Sequence, residues 1–95
     1  MFVGILKICI HIPYARSLKE KRQILKKLVD NVRNKFPVSV AEVDFMDMWQ
    51  RAGIGISIVS NDSKTLESLI DRISLYVETN FDCQITEVDK EIISW

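Results

Sequence analysis

Two carboxylates, Glu42 and Asp44, come nearest to the spacing of a catalytic or metal-binding pair. On one face of a strand they would lie about 7 Å apart, where they could bind a cation or transfer a proton. Because no third ligand is adjacent, the pattern favours a solvated or ion-paired strand face. If the following turn centres on 47–48, Arg51 faces Asp44 across a hairpin and pairs with it. A small-molecule enzyme that uses these three residues is the weakest alternative.

The remaining reactive side chains do not form a recognisable catalytic site. His11 is the one histidine, and it lies in an apolar run with no Ser or Cys nucleophile at a useful spacing. Cys9 and Cys83 are far apart in apolar runs, which predicts free thiols. Neither a glycine-rich phosphate loop nor a Cys-x-x-Cys pair occurs. We therefore predict a non-enzymatic protein with no catalytic residue, metal site or cofactor.

The charge distribution is strongly asymmetric, although 13 basic and 13 acidic residues balance over the 95 residues. Residues 1–36 contain nine Lys or Arg and two acids, a net charge of +7. Residues 37–95 contain four basic and eleven acidic residues, a net charge of −7. A concentrated positive charge of this kind indicates an anionic partner for the first third of the chain.

Most of the positive charge falls on one predicted helix. Ser17, followed by Glu20, forms a capping box that starts the helix, and Pro37 ends it. Helical periodicity places a group of cations on one flank of the apolar stripe, a basic ridge made of Lys19, Arg22, Lys26 and Arg33. Lys27 lies further round the helix and Arg16 precedes it, and both extend the charged surface. We expect this surface to contact phosphates without reading sequence.

Two charges complicate this interpretation. Asp30 can pair with Lys26, Lys27 or Arg33, but it cannot neutralise all of them. Lys21 falls within the apolar stripe, where a charge is costly. We expect its stem to extend to solvent beside Arg16, and a specific ligand role is the alternative.

Turn signals divide the rest of the chain into strands and a second helix. Strands are predicted at 2–12, 38–46, 51–60 and 82–93, and a cap cluster at 60–63 opens a helix that ends at about residue 79. The β-α-β-β-α-β order with right-handed crossovers predicts a single α+β domain over 1–95. This is the ferredoxin-like sandwich, a four-stranded antiparallel sheet of order 4-1-3-2 with two helices on one face.

Several local features follow from that arrangement. A phase slip between Val40 and Ala41 predicts a β-bulge. Gly53 and Gly55 share a strand face, which indicates that another group approaches the backbone there. Trp49 lies at the hairpin tip, where an exposed tryptophan often marks a contact.

The second face of the predicted sheet has no helix to cover it. Val3, Ile5 and Val59 would then be exposed, and apolar surface of this kind is commonly covered by a partner. Together with the opposite charges of the two halves, this face predicts a homodimer.

Four runs of sequence resemble the YlxP-like family of small bacterial proteins of unknown function. They are S-L-K-E-K-R at 17–22, V-S-V-A-E-V-D at 38–44 and W-Q-R-A-G at 49–53, followed by Gly55 and V-S-N-D at 59–62. The resemblance covers nearly the whole chain and implies a ferredoxin-like fold in a bacterial cytosol. A ribosome-associated role is suspected for the family from gene neighbourhood, and a fold alone supplies no function. The motif positions, none with an assigned role, are Ser17, Leu18, Lys19, Lys21, Arg22, Glu42, Asp44, Trp49, Gln50 and Arg51.

The sequence thus supports two main hypotheses. The first is an RNA- or ribosome-associated binding domain whose contacts are Arg16, Lys19, Lys21, Arg22, Lys26, Lys27 and Arg33. The second is a homodimeric protein-interaction or small-ligand module that uses the open sheet face and Glu42, Asp44, Trp49 and Arg51. In the second case the basic ridge is a solvated helix face or a protein-docking surface. We expect a cytoplasmic protein with no membrane partner, since neither a secretory leader nor an apolar run of about 20 residues occurs.

Overall fold

The βαββαβ order predicted from the sequence is confirmed by a computed structural model, which describes residues 1–95. The elements are β1 Phe2–His11, α1 Leu18–Lys35, β2 Ser39–Asp44, β3 Arg51–Ser60, α2 Ser63–Asn80 and β4 Gln84–Ser94. The sheet has the order β2-β3-β1-β4, and each neighbouring pair is antiparallel. This is the predicted ferredoxin-like arrangement, with β1 in a central position.

The core lies between the sheet and the two helices. Alternate residues of β1 face the helices, since side chains of a strand point to opposite faces in turn. Leu6, Ile8 and Ile10 are buried there against residues of β3, and both helices add apolar stripes. The stripe of α1 contains Leu25, Leu28 and Val32, and that of α2 contains Leu66, Leu69, Ile70, Ile73 and Val77. Their burial provides the main stabilisation of the domain.

Both helices begin at side-chain caps. The Ser17 hydroxyl accepts a hydrogen bond of 3.0 Å from the Glu20 amide, so the capping serine predicted for α1 is confirmed. The Asp62 carboxylate accepts one of 3.2 Å from the Lys64 amide at the start of α2. Neither helix has the length and apolar character that a membrane span requires.

A β-bulge lies in β2, but at Val43 rather than between Val40 and Ala41 as predicted. Glu42 is opposite Ile54 and Asp44 is opposite Gly53, which leaves Val43 as the extra residue. The position was wrong because a phase slip in the apolar pattern does not show which residue lacks a partner. Val43 is 53% exposed on the face away from the helices.

Gly53 and Gly55 accommodate this bulge. A Cβ atom at Gly53 would lie 2.7 Å from the Cβ of Asp44, and one at Gly55 would lie 2.8 Å from Cγ1 of Val43. Neither glycine has a positive φ, so the requirement is for space rather than for backbone conformation. The close approach predicted at this face comes from β2 itself.

The sheet face opposite the helices, which we call the open face, has no covering layer in the monomer. Ile5 and Val59 are exposed there, as predicted, and Val3 is half-buried. Ile93 of β4 adds a further exposed apolar side chain. Both cysteines are free thiols, again as predicted, and burial raises the pKa of Cys83 above its ordinary value.

Candidate functional site

The cations predicted on α1 and just before it are exposed, with one exception. The exposed members are Arg16, Lys19, Arg22, Lys26, Lys27 and Arg33. The members that belong to α1 flank or oppose its apolar stripe, which faces the core. The helix therefore presents a concentrated positive surface on a chain with no net charge.

Asp30 neutralises part of this surface. Its carboxylate lies 3.0 Å from Lys26 Nζ and 3.5 Å from a terminal nitrogen of Arg33. Arg33 also donates a hydrogen bond of 3.1 Å to the Val40 carbonyl of β2. Lys35, in the last turn of α1, lies over the Tyr76 ring. The remaining cations of α1 and its preceding residue without an acidic partner are Arg16, Lys19, Arg22 and Lys27. These four are the ones most available to an anionic ligand.

Lys21 is the exception, and both expectations for it need correction. It is 1% exposed and does not extend to solvent beside Arg16. Its ammonium group donates a hydrogen bond of 2.7 Å to the Phe45 carbonyl and lies 2.9 Å from Glu42 Oε2. Glu42 Oε2 is itself buried and accepts no well-aligned hydrogen bond, so the contact is a charge pair rather than a directed bond. Lys21 is therefore not available to a phosphate.

Glu42 and Asp44 do not share one strand face as predicted, although each is ion-paired, as the favoured interpretation expected. The bulge at Val43 places Glu42 toward α1 and Asp44 on the open face. Asp44 accepts a hydrogen bond of 2.8 Å from Lys7 of β1, which lowers the pKa of Asp44 and raises that of Lys7. The predicted ion pair between Asp44 and Arg51 is absent. No group of three or more His, Cys, Asp or Glu side chains is placed to hold a metal ion.

Arg51 instead packs on Phe45. Its guanidinium carbon lies 3.8 Å from the centre of the Phe45 ring, a close cation–π contact. Phe45 has a φ of 59°, in the left-handed region, which ends β2 two residues before the predicted strand end. The Asp44 carboxylate accepts a hydrogen bond of 2.9 Å from the Phe45 amide, and the Phe45 carbonyl accepts one of 3.0 Å from Met48. Together these contacts hold residues 45–50, which we call the hairpin tip, in one conformation.

Gln50 attaches the hairpin tip to the loop between β1 and α1. The Gln50 side-chain amide donates hydrogen bonds of 3.1 Å to the Pro13 carbonyl and 3.2 Å to the Ala15 carbonyl. Its backbone carbonyl accepts a bond of 2.9 Å from Ile12. The sequence assigns no role to Gln50, although Gln50 belongs to the W-Q-R-A-G run that resembles the YlxP-like family.

The hairpin tip exposes a group of large apolar side chains. Trp49 is 54% exposed, which confirms its predicted exposure, and Met46 and Met48 are exposed beside it in sequence. A shallow depression of about 360 Å³ is lined by Met48, Trp49, Gln50 and Arg51. The structure thus brings exposed apolar groups to the end of the molecule where α1 begins.

Comparison with known proteins identifies relatives of the chain. Residues 3–90 match a family described as "Protein of unknown function (DUF503)". The uncharacterized protein YlxP of Bacillus subtilis (strain 168) is 40% identical over 65 residues, which are 68% of this chain and 71% of that protein.

Two solved structures are similar in fold, and both are designed proteins. The solution structure of the de novo designed protein LFR1 1 with ferredoxin fold has a TM-score of 0.61 at 15% identity, over 100% of this chain and 88% of the design. The de novo designed protein Foldit4 has a TM-score of 0.50 at 16% identity, over 98% of each chain. At such identities the likeness concerns the fold alone.

Proposed function

Because the chain belongs to the DUF503 family of proteins of unknown function, as its YlxP-like motifs predict, we propose a function from its own surface. The domain binds RNA, free or within a ribosomal particle, through the exposed cations of α1 and the residue before it. It does so in the bacterial cytosol and without catalysing a reaction.

The observation that supports this proposal is the set of four exposed cations without an acidic partner. Arg16, Lys19 and Arg22 lie within the β1–α1 loop and the first turns of α1, and Lys27 extends the surface further along the helix. Solvated lysine and arginine side chains on one helix face match a chain of phosphates, and counterion release favours their association. Such contacts position the ligand without selecting a base sequence.

The test is a fluorescence-anisotropy titration of labelled RNA with a salt series. We expect log K to fall linearly with log[salt], with a slope of about −0.7 to −0.9 for each phosphate contact. The double variant Lys19→Glu/Arg22→Glu should bind at least about tenfold more weakly, because it replaces two attractive contacts by repulsive ones.

Matched variants separate a local contact from a change in net charge. Lys64→Glu/Arg72→Glu makes the same change on exposed positions of α2, and its affinity should stay within about twofold of the wild type. Asp30→Asn releases Lys26 and Arg33 and should strengthen binding. The proposal would be refuted if both double variants lost RNA affinity equally, or if the wild type did not bind RNA at low salt.

A second candidate is a homodimeric interaction module, favoured by the open face. Ile5, Val43 and Val59 expose apolar surface there without a covering layer. A second copy seated on this face would bury them. Sedimentation equilibrium at micromolar concentration tests this candidate: it requires a dimer that Val59→Lys dissociates and that Ser68→Lys, at an exposed position of α2, leaves intact.

A further inference from the structure

We propose that the hairpin tip is a stacking platform for an unpaired RNA base, with Trp49 as the stacking side chain. The phosphates that flank this base would lie on Arg16, Lys19 and Arg22. The inference rests on the proposed RNA-binding function and adds the class of RNA, which is single-stranded.

Trp49 lies at the same end of the molecule as the cations at the start of α1. The neighbouring residue, Gln50, is bonded through its side chain to the carbonyls of Pro13 and Ala15, and Arg16 follows Ala15 directly. At the other end of the hairpin tip, the Phe45 carbonyl accepts the hydrogen bond from Lys21, in the second turn of α1. Two attachments therefore place the tip and the start of α1 at one end of the molecule.

The hairpin tip that carries Trp49 is held rigidly by its contacts. The left-handed backbone of Phe45 is held by the Asp44 carboxylate on its amide and by Arg51 over its ring. The lysine and glutamine contacts then fix both ends of the tip. An indole on such a support has little conformational freedom to lose on binding.

An exposed tryptophan such as Trp49 suits single-stranded RNA better than an RNA duplex. Bases of an RNA duplex are already stacked, and its major groove is too deep and narrow for side chains to read. An exposed indole therefore gains the most binding free energy by stacking on an unpaired base. Stacking of one base on an aromatic side chain changes affinity by about 10- to 100-fold.

The open face offers no competing platform of this type. Its positions on β1 and β3 alternate with those of the core and contain no Phe, Tyr or Trp. Base stacking on these two strands therefore does not compete with the hairpin tip.

The test uses Trp95→Phe as its background, so that Trp49 is the sole tryptophan and its fluorescence reports on the tip. A ten-residue oligouridine should quench Trp49, and an RNA duplex of matched length should quench it much less. In the same background, Trp49→Ala should weaken oligouridine binding by about 10- to 100-fold and leave the salt slope unchanged. Trp49→Phe should restore most of the affinity, and Met46→Ala, an equally exposed change on the tip, should stay within about twofold of the background protein.

The outcomes separate this inference from the function on which it rests. Full oligouridine affinity in Trp49→Ala, or equal losses for oligouridine and duplex, would overturn the stacking platform and leave RNA binding by α1 intact. Full affinity in Lys19→Glu/Arg22→Glu would overturn the proposed function instead. Absence of any RNA binding, with a Trp49 emission that shifts with protein concentration, would overturn both and identify the tip as a contact between copies of the chain.

Discussion

The ammonium group of Lys21 lies 2.9 Å from Glu42 Oε2, and this pair joins α1 to β2 inside the domain. Lys21 is 1% exposed, and the Glu42 side chain is 19% exposed. Desolvation offsets much of the attraction between such buried charges, so the pair contributes little net stability. Loss of one partner is costly nevertheless, because it leaves the other charge buried and unpaired. We infer that the pair fixes α1 against β2 and thereby sets the position of the hairpin tip.

Replacement of Lys21 by methionine should destabilise the domain by about 3 kcal/mol, because Glu42 would remain buried without its cation. Urea denaturation measures this loss. Lys26→Met is the matched control, since Lys26 lies on the same helix in an exposed pair, and it should cost less than about 0.5 kcal/mol. The double variant Lys21→Met/Glu42→Leu should recover much of the stability. Equal stability of the two single variants would contradict the structural role of the buried pair.

Gly53→Ala should destabilise the domain by about 1–3 kcal/mol, because the new methyl group would meet the Cβ of Asp44, which only a backbone shift can move. Gly55→Ala should cost less, since its contact is Cγ1 of the Val43 side chain, which can rotate. Thermal denaturation compares the two. Val43→Ala should reduce the destabilisation caused by Gly55→Ala but not that caused by Gly53→Ala. If it reduced both equally, the two glycines would not make room for different residues of the bulge.

The ion pair between Lys7 and Asp44 predicts a stability difference that depends on pH. Its hydrogen bond holds the pKa of Asp44 below the ordinary value of 3.8. The carboxylate therefore stabilises the fold above the unfolded-state pKa, and the contribution is lost as the pH falls through the lower folded-state value. Wild type should exceed Asp44→Asn in urea midpoint at pH 6, and the difference should shrink toward pH 3. The asparagine side chain keeps an oxygen to cap the Phe45 amide, so the comparison removes only the charge and the acceptor that faces Lys7.

A Lys7→Met background provides the control for this pH dependence. Without the ammonium group the pKa of Asp44 loses its main cause of depression. The effect of Asp44→Asn on the urea midpoint should then differ less between pH 6 and pH 3, since only the Phe45 amide and Arg51 still favour the carboxylate. A pH dependence that is undiminished in Lys7→Met would contradict the role of the Lys7 pair.

Gln50→Glu should loosen the hairpin tip without unfolding the domain. A carboxylate cannot donate to the carbonyls of Pro13 and Ala15, and it would repel both. Hydrogen exchange at the Ile12 and Met48 amides should accelerate by about fivefold or more, the equivalent of roughly 1 kcal/mol of local stability. Gln23→Glu, on the exposed side of α1, should leave both amides unchanged. Unaltered protection in Gln50→Glu would show that the side chain does not anchor the tip.

Most of the fold could be predicted from local signals in the sequence. The alternation of Ile54, Ile56 and Ile58 placed β3 at its observed bounds, 51–60. Ser17 and Pro37 predicted where α1 begins and ends, because a helix cap and a helix breaker act within one turn of the helix. The exposure of the cations of α1 could also be predicted, because helical periodicity does not depend on which strands the helix packs against.

The contacts between elements could not be predicted in the same way. The sequence predicts a solvated or ion-paired strand face for Glu42, and nothing local to β2 shows that its partner is Lys21 in the core. Burial of each charge depends on the other, and the two residues belong to different elements. The role of Gln50 was missed for the same reason, since its partners are backbone carbonyls of a distant loop.

The central position of β1 also constrains the order in which the domain folds. Phe2 lies opposite both Ser60 and Ser94, so each flank of β1 pairs with a segment that is distant in sequence. Closing such large loops costs chain entropy before the pairing returns any free energy, which makes the sheet intrinsically slow to form. During synthesis from the N-terminus, β1 gains its first neighbour only after β3 emerges and its second only after β4. The two caps and apolar stripes of α1 and α2 are therefore the structure that can form early, and the sheet is completed last.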